Sequence, residues 1–181
     1  MPEYENYSMS YKNKKGHTVQ VYRDENANSP RDYDNLGTMV LFHKNYKLGD
    51  KHNHNPESLN EFLEYNSDGI VAVKVYGYDH GQLTISHKPF SCKWDSGTLG
   101  YIFVSKLDAM QAFNEKEWSK ELEDKIVKCL EQEVETYDQY LVGDVYGYIV
   151  FDEDGEEIYS CWGFYGDDID KNGIADCANN V

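Results

Sequence analysis

The chain has 181 residues, of which 40% are hydrophobic and 14% aromatic, and its formal net charge at pH 7 is −16. This length and composition indicate one globular domain. The excess of carboxylates argues against direct binding of nucleic acid, whose phosphates require clustered Lys and Arg. No apolar run approaches about 18 residues, so no membrane-spanning helix is expected. The start of the chain lacks a signal-peptide pattern and the four cysteines lack paired spacing, which indicates a cytoplasmic protein with reduced thiols.

Residues 1–17 are polar, and we expect a flexible N-terminal arm there, followed by a single α+β domain over residues 18–181. Seven runs in that domain have the alternation or the apolar character of strands. They are residues 18–23, 37–42, 70–78, 83–85, 99–105, 144–152 and 157–163. The apolar run at 37–42 predicts a central strand. An Asp-Gly turn at Asp154-Gly155 predicts that the last two runs form a hairpin.

Two segments have the 3.6-residue spacing of amphipathic helices. Residues 56–65 begin with a proline in the first turn, which is typical of a helix start. Residues 106–141 predict a long helix that is broken near Asn114 and ended by Gly143. The second part of that helix has an apolar stripe, made of Trp118, Leu122, Ile126, Cys129, Leu130, Val134 and Tyr137. The predicted fold is therefore α+β: an antiparallel sheet of tyrosine-rich hairpins with one long and one short helix packed on it.

A short internal repeat accompanies the two predicted hairpins. The sequence Val75-Tyr76-Gly77-Tyr78 recurs as Val145-Tyr146-Gly147-Tyr148, and the two copies are followed by Ser91-Cys92-Lys93-Trp94 and Ser160-Cys161-Trp162. Chance convergence of two tyrosine-rich hairpins explains this pattern, and so does duplication of an ancestral hairpin.

The strongest feature of the chain is an acidic segment, residues 129–170, that contains no Lys, Arg or His. It also contains apolar and aromatic residues, so it can fold and keep its charges outside. A folded surface of one sign repels phosphates and attracts basic proteins. We therefore predict that its 13 carboxylates bind a partner; they are Glu131, Glu133, Glu135, Asp138, Asp144, Asp152, Glu153, Asp154, Glu156, Glu157, Asp167, Asp168 and Asp170.

On the predicted long helix, Glu131, Glu135 and Asp138 lie at i, i+4 and i+7 and form one row, with neighbours roughly 5–6 Å apart. That spacing is similar to the distance between successive backbone phosphates. The alternative is an ordinary surface that keeps the protein soluble. A charge asymmetry favours function, because residues 1–128 carry a formal charge of only −3.

Two segments suggest metal sites, and neither pattern is complete. Residues 168–173 begin like a calcium-binding loop, with Asp168, Asp170 and Asn172 at alternate positions, but position 12 is Asn179 rather than a glutamate. His52 and His54 could share a metal if they lay on a strand. We predict no metal and no cofactor, and keep a metal-dependent enzyme that uses the His52/His54 loop as an alternative.

Catalytic motifs are weak throughout. A hydrolase needs carboxylates that converge in a pocket, whereas those of residues 152–157 fall on a predicted turn. Cys92 and Cys161 are better read as core or sub-surface cysteines than as nucleophiles, and the acidic surroundings of Cys161 would raise the thiol pKa. Glycine-rich phosphate loops and a GxSxG elbow are absent from the sequence. We therefore expect a protein that is not an enzyme.

Four motifs together resemble a family of small acidic proteins carried by phages and mobile elements of Firmicutes. The motifs are Asp34-Asn35-Leu36-Gly37-Thr38-Met39, Pro89-Phe90-Ser91-Cys92-Lys93-Trp94-Asp95-Ser96-Gly97, Gly143-Asp144-Val145-Tyr146-Gly147 and Ser160-Cys161-Trp162-Gly163-Phe164-Tyr165-Gly166. The resemblance spans about residues 18–166 and is associated with type II-A anti-CRISPR inhibitors of Cas9. It implies an anti-defence role in the host bacterial cytoplasm and brings no catalytic residues with it.

Charge and resemblance agree, because Cas9 holds nucleic acid in a positively charged channel. We predict a phage-type, acidic, non-enzymatic inhibitor of a basic host defence nuclease, Cas9 or similar, that competes with or mimics DNA phosphates. An anti-restriction DNA mimic is the alternative that uses the same electrostatics. Neither version binds nucleic acid or a membrane directly.

Overall fold

The computed structural model describes residues 6–92 and 96–181. In chain order its strands are β1 (Met9–Lys12), β2 (Thr18–Arg23), β3 (Thr38–Leu41), β4 (Ile70–Asp79), β5 (Leu83–Ser86), β6 (Ser96–Ser105), β7 (Val145–Phe151) and β8 (Glu157–Tyr165). Its α-helices are α1 (Pro56–Tyr65), α2 (Lys106–Ala112), α3 (Lys120–Leu141) and α4 (Ile174–Asn180). The protein is therefore α+β, as predicted.

The chain forms two compact units. The terminal unit comprises the described parts of Met1–Ser29 together with Gln139–Val181, and the middle unit is Pro30–Asp138. Each unit has its own four-stranded antiparallel sheet, so the prediction of one sheet is wrong. The sequence pattern marks strands but not their partners, and partners decide how many sheets form.

The terminal unit has the strand order β1-β2-β7-β8. One face of this sheet carries a buried cluster in which α4 covers the strands; its members are Val19, Val21, Tyr146, Tyr148, Val150, Ile174 and Ala178. Strand β7 is buried along almost its whole length because it lies between β2 and β8. Burial raises the pKa of the Tyr148 phenol well above its usual value.

Two elements of the terminal unit differ from the sequence prediction. Residues 9–12, placed in the flexible arm, form strand β1 and pair with β2. Strand β1 is largely exposed, so it lacks the apolar alternation that reveals a strand. Helix α4 has no counterpart among the predicted elements, because it buries only Ile174 and Ala178, too few residues to define a helical period.

The middle unit has the strand order β3-β6-β4-β5. Strand β3 is buried but lies at the edge of its sheet, so the prediction that it is central is wrong. Helix α3 packs on this sheet at Gly37, where an added Cβ atom would come within 2.5 Å of Leu130 and 2.6 Å of Ile102. Five residues of the predicted stripe are buried along α3: Leu122, Ile126, Leu130, Val134 and Tyr137.

The helices of the middle unit begin and end where local chemistry dictates. Asn55 caps α1 by accepting a hydrogen bond from the Ser58 amide, and the Ser58 hydroxyl accepts one from the Asn55 amide. The predicted break in the long helix is confirmed, since α2 ends at Ala112 and Asn114 has a positive φ of 54°. The described residues contain four α-helices where two were predicted, and none of them is long and apolar enough to cross a membrane.

The internal repeat lies at matching places in the two sheets. Val75-Tyr76-Gly77-Tyr78 is in β4 and Val145-Tyr146-Gly147-Tyr148 is in β7, and each strand is third in its sheet, followed by its hairpin partner at the edge. Gly77 makes room for Leu99 of β6, and Gly147 makes room for the Trp162 ring of β8. The two glycines occupy equivalent strands, but the side chains that they accommodate differ. Chance convergence and duplication therefore both explain the repeat. Lys93, Trp94 and Asp95, which belong to the end of the first copy and to one family motif, lie outside the described residues.

Replacement of Gly100 by alanine is expected to destabilise the middle unit. The new methyl group would meet the backbone of β3 at the Val40 carbonyl oxygen, which cannot move aside without breaking strand pairing. We expect Gly100→Ala to lower the free energy of unfolding in urea by about 2–4 kcal/mol. Gly97→Ala in the same strand is the control, since its methyl group would enter open space, and it should change stability by less than about 0.5 kcal/mol. Equal stability of the two variants would contradict the packing of β3 against β6.

Candidate functional site

Glu133 does not face water but belongs to a buried ion network in the middle unit. One of its oxygens lies 2.7 Å from Nη1 of Arg31, and the other accepts a hydrogen bond of 2.7 Å from the Leu36 amide. Arg31 also contacts Asp50 through Nη2 at 2.7 Å and Nε at 3.0 Å. The side chains of Arg31 and Glu133 are only 5% and 13% exposed. Glu133 is therefore a structural residue, not part of an open acidic surface.

The same network fixes the start of β3. Nη2 of Arg31 donates to the Gly37 carbonyl, and Oδ2 of Asp50 accepts from the Met39 amide at 2.7 Å. Burial lowers the pKa of the Arg31 guanidinium, but hydrogen bonds and charges from Asp50 and Glu133 outweigh that effect and raise the pKa above its ordinary value. The guanidinium is thus permanently charged and joins the segment before β3, residue 50 and helix α3.

The predicted row on α3 does share one face of the helix, but that face is directed at strand β5 and the residues after it. Glu131 and Glu135 contact the two ring nitrogens of His87, at 3.1 Å and 3.3 Å, and the imidazole is only 8% exposed. Asp138 accepts a 2.7 Å hydrogen bond from the Ile85 amide. Glu131 and Asp138 are partly covered by these contacts, whereas the Glu135 side chain stays 60% exposed beside His87, so the three carboxylates do not form one uniformly open row.

Three acidic residues of the terminal unit are also engaged. Asp144 pairs with Arg23 at 3.2 Å. Asp168 pairs with Lys171 at 2.7 Å, and this contact lowers the pKa of Asp168. Asp152 accepts hydrogen bonds from the backbone amides of Asp154 and Glu156, at 3.0 Å and 2.9 Å, and so closes the β7–β8 turn.

Six of the 13 predicted residues remain exposed with no ion pair among the described residues: Glu153, Asp154, Glu156, Glu157, Asp167 and Asp170. All six belong to the terminal unit. Four of them, Glu153, Asp154, Glu156 and Glu157, lie together in and directly after the β7–β8 turn, and we call these four the acidic turn. Asp167 and Asp170 follow the other end of β8. The structure thus brings a smaller set of free carboxylates together than the sequence indicated.

Strand β8, which connects these two groups of carboxylates, carries exposed apolar side chains that the sequence analysis did not single out. Ile158, Tyr159 and Trp162 are between 43% and 46% exposed. Strand β8 is at the edge of its sheet, and this position explains the exposure. Its run from Ile158 to Gly166 has no charged residue. That uncharged run is the sequence pattern that could have indicated an exposed apolar strand. We take the acidic turn and β8 as the candidate site.

The alternative metal sites gain no geometric support within residues 6–92 and 96–181, where no group of three or more His, Cys, Asp or Glu side chains is arranged to hold a metal ion. The rings of His52 and His54 lie 6.5 Å apart, and they pack against Phe42 and Phe62. Nε2 of His52 lies 3.3 Å from the Leu41 carbonyl oxygen. The two histidine rings therefore pack against aromatic side chains of the middle unit.

The four cysteines are thiols rather than members of disulfide bonds. Burial, helped by the charge of Glu133, raises the pKa of Cys129, which makes its thiol less reactive. Cys161 lies on β8 next to Tyr148, on the face that packs against α4. The arrangement supplies no cation that would activate either thiol among the contacts described here.

Comparison with known protein families, with curated proteins and with solved structures finds no match to this chain. The resemblance to acidic phage proteins and to anti-CRISPR inhibitors therefore stays a prediction from the sequence motifs. The candidate site rests on the geometry of the terminal unit.

Removal of the buried guanidinium is expected to destabilise the middle unit strongly. Arg31→Met leaves the carboxylates of Asp50 and Glu133 close together without a cation between them. Breaking a buried ion pair in this way lowers the free energy of unfolding by about 3–5 kcal/mol. Arg23→Met removes an exposed pair with Asp144, for which we expect a loss below about 1 kcal/mol. Urea unfolding of both variants measures the difference. A loss of similar small size for both would show that the Arg31 network is not a structural requirement.

Proposed function

We propose that this protein is a phage-type anti-defence protein that binds a basic, nucleic-acid-binding host nuclease, Cas9 or a similar enzyme, and inhibits it without catalysis. The observation that carries the proposal is the acidic turn, in which four carboxylates are exposed and unpaired among the described residues. Within residues 129–170 there is no basic side chain to neutralise them. A basic surface evolved to hold phosphates is the complementary partner.

The acidic turn is held in shape before any partner arrives. Asp152 accepts two amide hydrogen bonds within the turn, and the Asp152 amide donates to the Glu156 carbonyl at 3.0 Å. A preformed turn loses little conformational entropy on binding. Its carboxylates can therefore serve as fixed anionic groups, as the phosphates of a nucleic acid do.

The carboxylates of the middle unit have other roles in this proposal. Glu133 is buried beside Arg31, and Glu131 and Glu135 contact His87. A partner would have to break the buried pair to use Glu133, which costs stability, and would compete with His87 for Glu131 and Glu135. The binding surface is therefore assigned to the terminal unit, where the exposed groups lie at both ends of β8.

The resemblance to anti-CRISPR proteins supports the choice of partner. Cas9 holds a guide–target duplex in a positively charged channel and reads its PAM with arginines. An anionic surface could occupy such a site in place of DNA, and long-range attraction would speed the encounter at low salt. The host bacterial cytoplasm is the compartment in which this would take place.

Charge reversal of the acidic turn should abolish inhibition. We expect the variant Glu153→Lys, Asp154→Lys, Glu156→Lys, Glu157→Lys to bind a type II-A Cas9 loaded with guide RNA at least about tenfold more weakly at about 0.1 M salt. Asp152 is kept because it closes the turn. The measurements are DNA cleavage by Cas9 at increasing inhibitor concentration and binding by interferometry at low and high salt.

A matched control carries the same change of net charge at other exposed positions. Glu61, Glu64, Glu117 and Glu121 are exposed residues of the middle unit without a described ion pair, and their reversal to lysine should leave inhibition within about twofold of the unmodified protein. Full inhibition by a folded acidic-turn variant would overturn the role of this surface. Equal loss in both variants would show that only net charge matters.

The choice of nuclease is tested separately. If the unmodified protein leaves Cas9 active but protects DNA from a restriction enzyme in a parallel cleavage assay, the anti-restriction alternative replaces the Cas9 proposal. Protection of DNA in neither assay would overturn the anti-defence role.

A further inference from the structure

Strand β8 differs from the other sheet edges of this protein. It is nine residues long, and the backbone of residues 158–163 forms hydrogen bonds only to β7 among the described residues. An edge strand directs every second N–H and C=O group away from its neighbour, where another strand can pair with them. Long, apolar edges of this kind are normally covered or interrupted.

Both edges of the middle sheet are covered. At β3, the Asp50 amide donates to the Met39 carbonyl at 2.7 Å, and the Asp50 carboxylate accepts from the Met39 amide at 2.7 Å. At β5, the Asp138 carboxylate accepts from the Ile85 amide. The remaining edge, β1, ends in Lys12, and a lysine on an edge strand discourages pairing. Strand β8 is thus the edge that these devices leave open.

We propose that β8 is a docking strand that pairs with an extended, basic segment of the partner protein. The inference rests on the proposed function and specifies how the partner is held: by backbone hydrogen bonds to β8 and by carboxylates at the two ends of that strand. Strand addition of this kind gives affinity through main-chain hydrogen bonds and specificity through alternate side chains.

The length of the pairing segment is set by two bulges. The register of β7 against β8 shifts between Val150 and Phe151 and again between Tyr146 and Gly147, which leaves Ile158 and Gly163 as the extra residues of β8. Between them, residues 159–162 keep a regular register. An added strand therefore pairs with this short stretch, and its flanking residues reach the acidic turn at one end and Asp167 at the other.

The two faces of the docking strand offer different contacts to the added segment. Tyr159 lies opposite Val150 and near Tyr148, at a ring distance of 6.0 Å, on the face that α4 covers. Trp162 lies opposite Gly147 on the other face, 6.2 Å from the ring of Tyr22. An extended segment alternates its side chains between faces, so one set would meet Tyr159 and the next would meet Trp162.

Charge argues against a second copy of the chain as the occupant. If two β8 strands paired antiparallel about Cys161, the acidic turn of one copy would lie beside Asp167 and Asp168 of the other. In a parallel pair, the two acidic turns would lie side by side. Both arrangements bring carboxylates together, and Lys171 beside Asp168 is the one cation that the described residues place near them, so both are unfavourable. A segment with Lys or Arg flanking a short apolar run is favoured at the same positions.

The test uses three acetylated eight-residue peptides against the full chain labelled with ¹⁵N. The first peptide alternates Lys and Val. The second alternates Lys and Pro, so it has the same charge but lacks the backbone N–H groups that the Val residues supply. The third alternates Glu and Val and has the opposite charge. We expect the Lys-Val peptide to shift the amide signals of residues 157–163 and to slow their hydrogen exchange. The Lys-Pro peptide should bind at least fivefold more weakly, and the Glu-Val peptide should not bind.

A pair of variants locates the binding. Ile158→Lys with Ser160→Lys places two ammonium groups on the docking strand and should weaken Lys-Val binding at least fivefold. Met9→Lys with Ser10→Lys places the same charges on the exposed β1 edge. This control should change the affinity for the Lys-Val peptide less than twofold.

The outcomes separate this inference from the proposed function. Equal binding of the Lys-Val and Lys-Pro peptides, without slower exchange in β8, would overturn strand pairing and leave the acidic surface standing. Absence of binding by both cationic peptides would overturn the docking strand and count against the acidic surface as well. A self-associated protein, seen as a dimer by sedimentation and blocked by the β8 variant, would assign the edge to a second copy instead.

Discussion

The middle unit depends on one buried guanidinium. Arg31 lies between the carboxylates of Asp50 and Glu133, and its contacts reach the backbone at Gly37. Each carboxylate in turn accepts amide hydrogen bonds from the segment that leads into β3. Two negative charges in a partly dry site would repel each other and remain poorly solvated. The single cation thus allows an irregular segment, a loop and helix α3 to meet in one place.

This network also divides the acidic segment into two parts with different roles. On α3, Glu133 joins the ion network, and its neighbours on the helix are engaged by the edge of the middle sheet, where Asp138 satisfies the Ile85 amide. Beyond the helix, the acidic turn is held by the Asp152 carboxylate and leaves its own carboxylates in water. Charge that is uniform along the sequence is therefore structural in one unit and left exposed in the other.

The two four-stranded sheets differ in whether their edge strands are covered or exposed. In the middle sheet, carboxylates of Asp50 and Asp138 cap the outer strands, so negative charge is used to satisfy backbone amides. In the terminal sheet the carboxylates lie beyond the ends of β8, and the strand itself exposes Tyr159 and Trp162. Under the proposed function, an open edge with anionic ends favours a cationic partner over self-association. The proposed function and the docking strand both follow from this difference.

The sequence by itself determined the α+β class, the hairpin around Asp154-Gly155, helix α1 and the buried stripe of α3, because each of these depends on local periodicity or on turn and cap chemistry. It also identified the segment that holds the free carboxylates. It did not show which carboxylates are free, because Arg31 is 102 residues away from Glu133 along the chain. Only the tertiary structure decided the division into two sheets, the edge position of β3 and the exposure of β8, since strand partners and ion pairs between distant segments leave no periodic trace in the sequence.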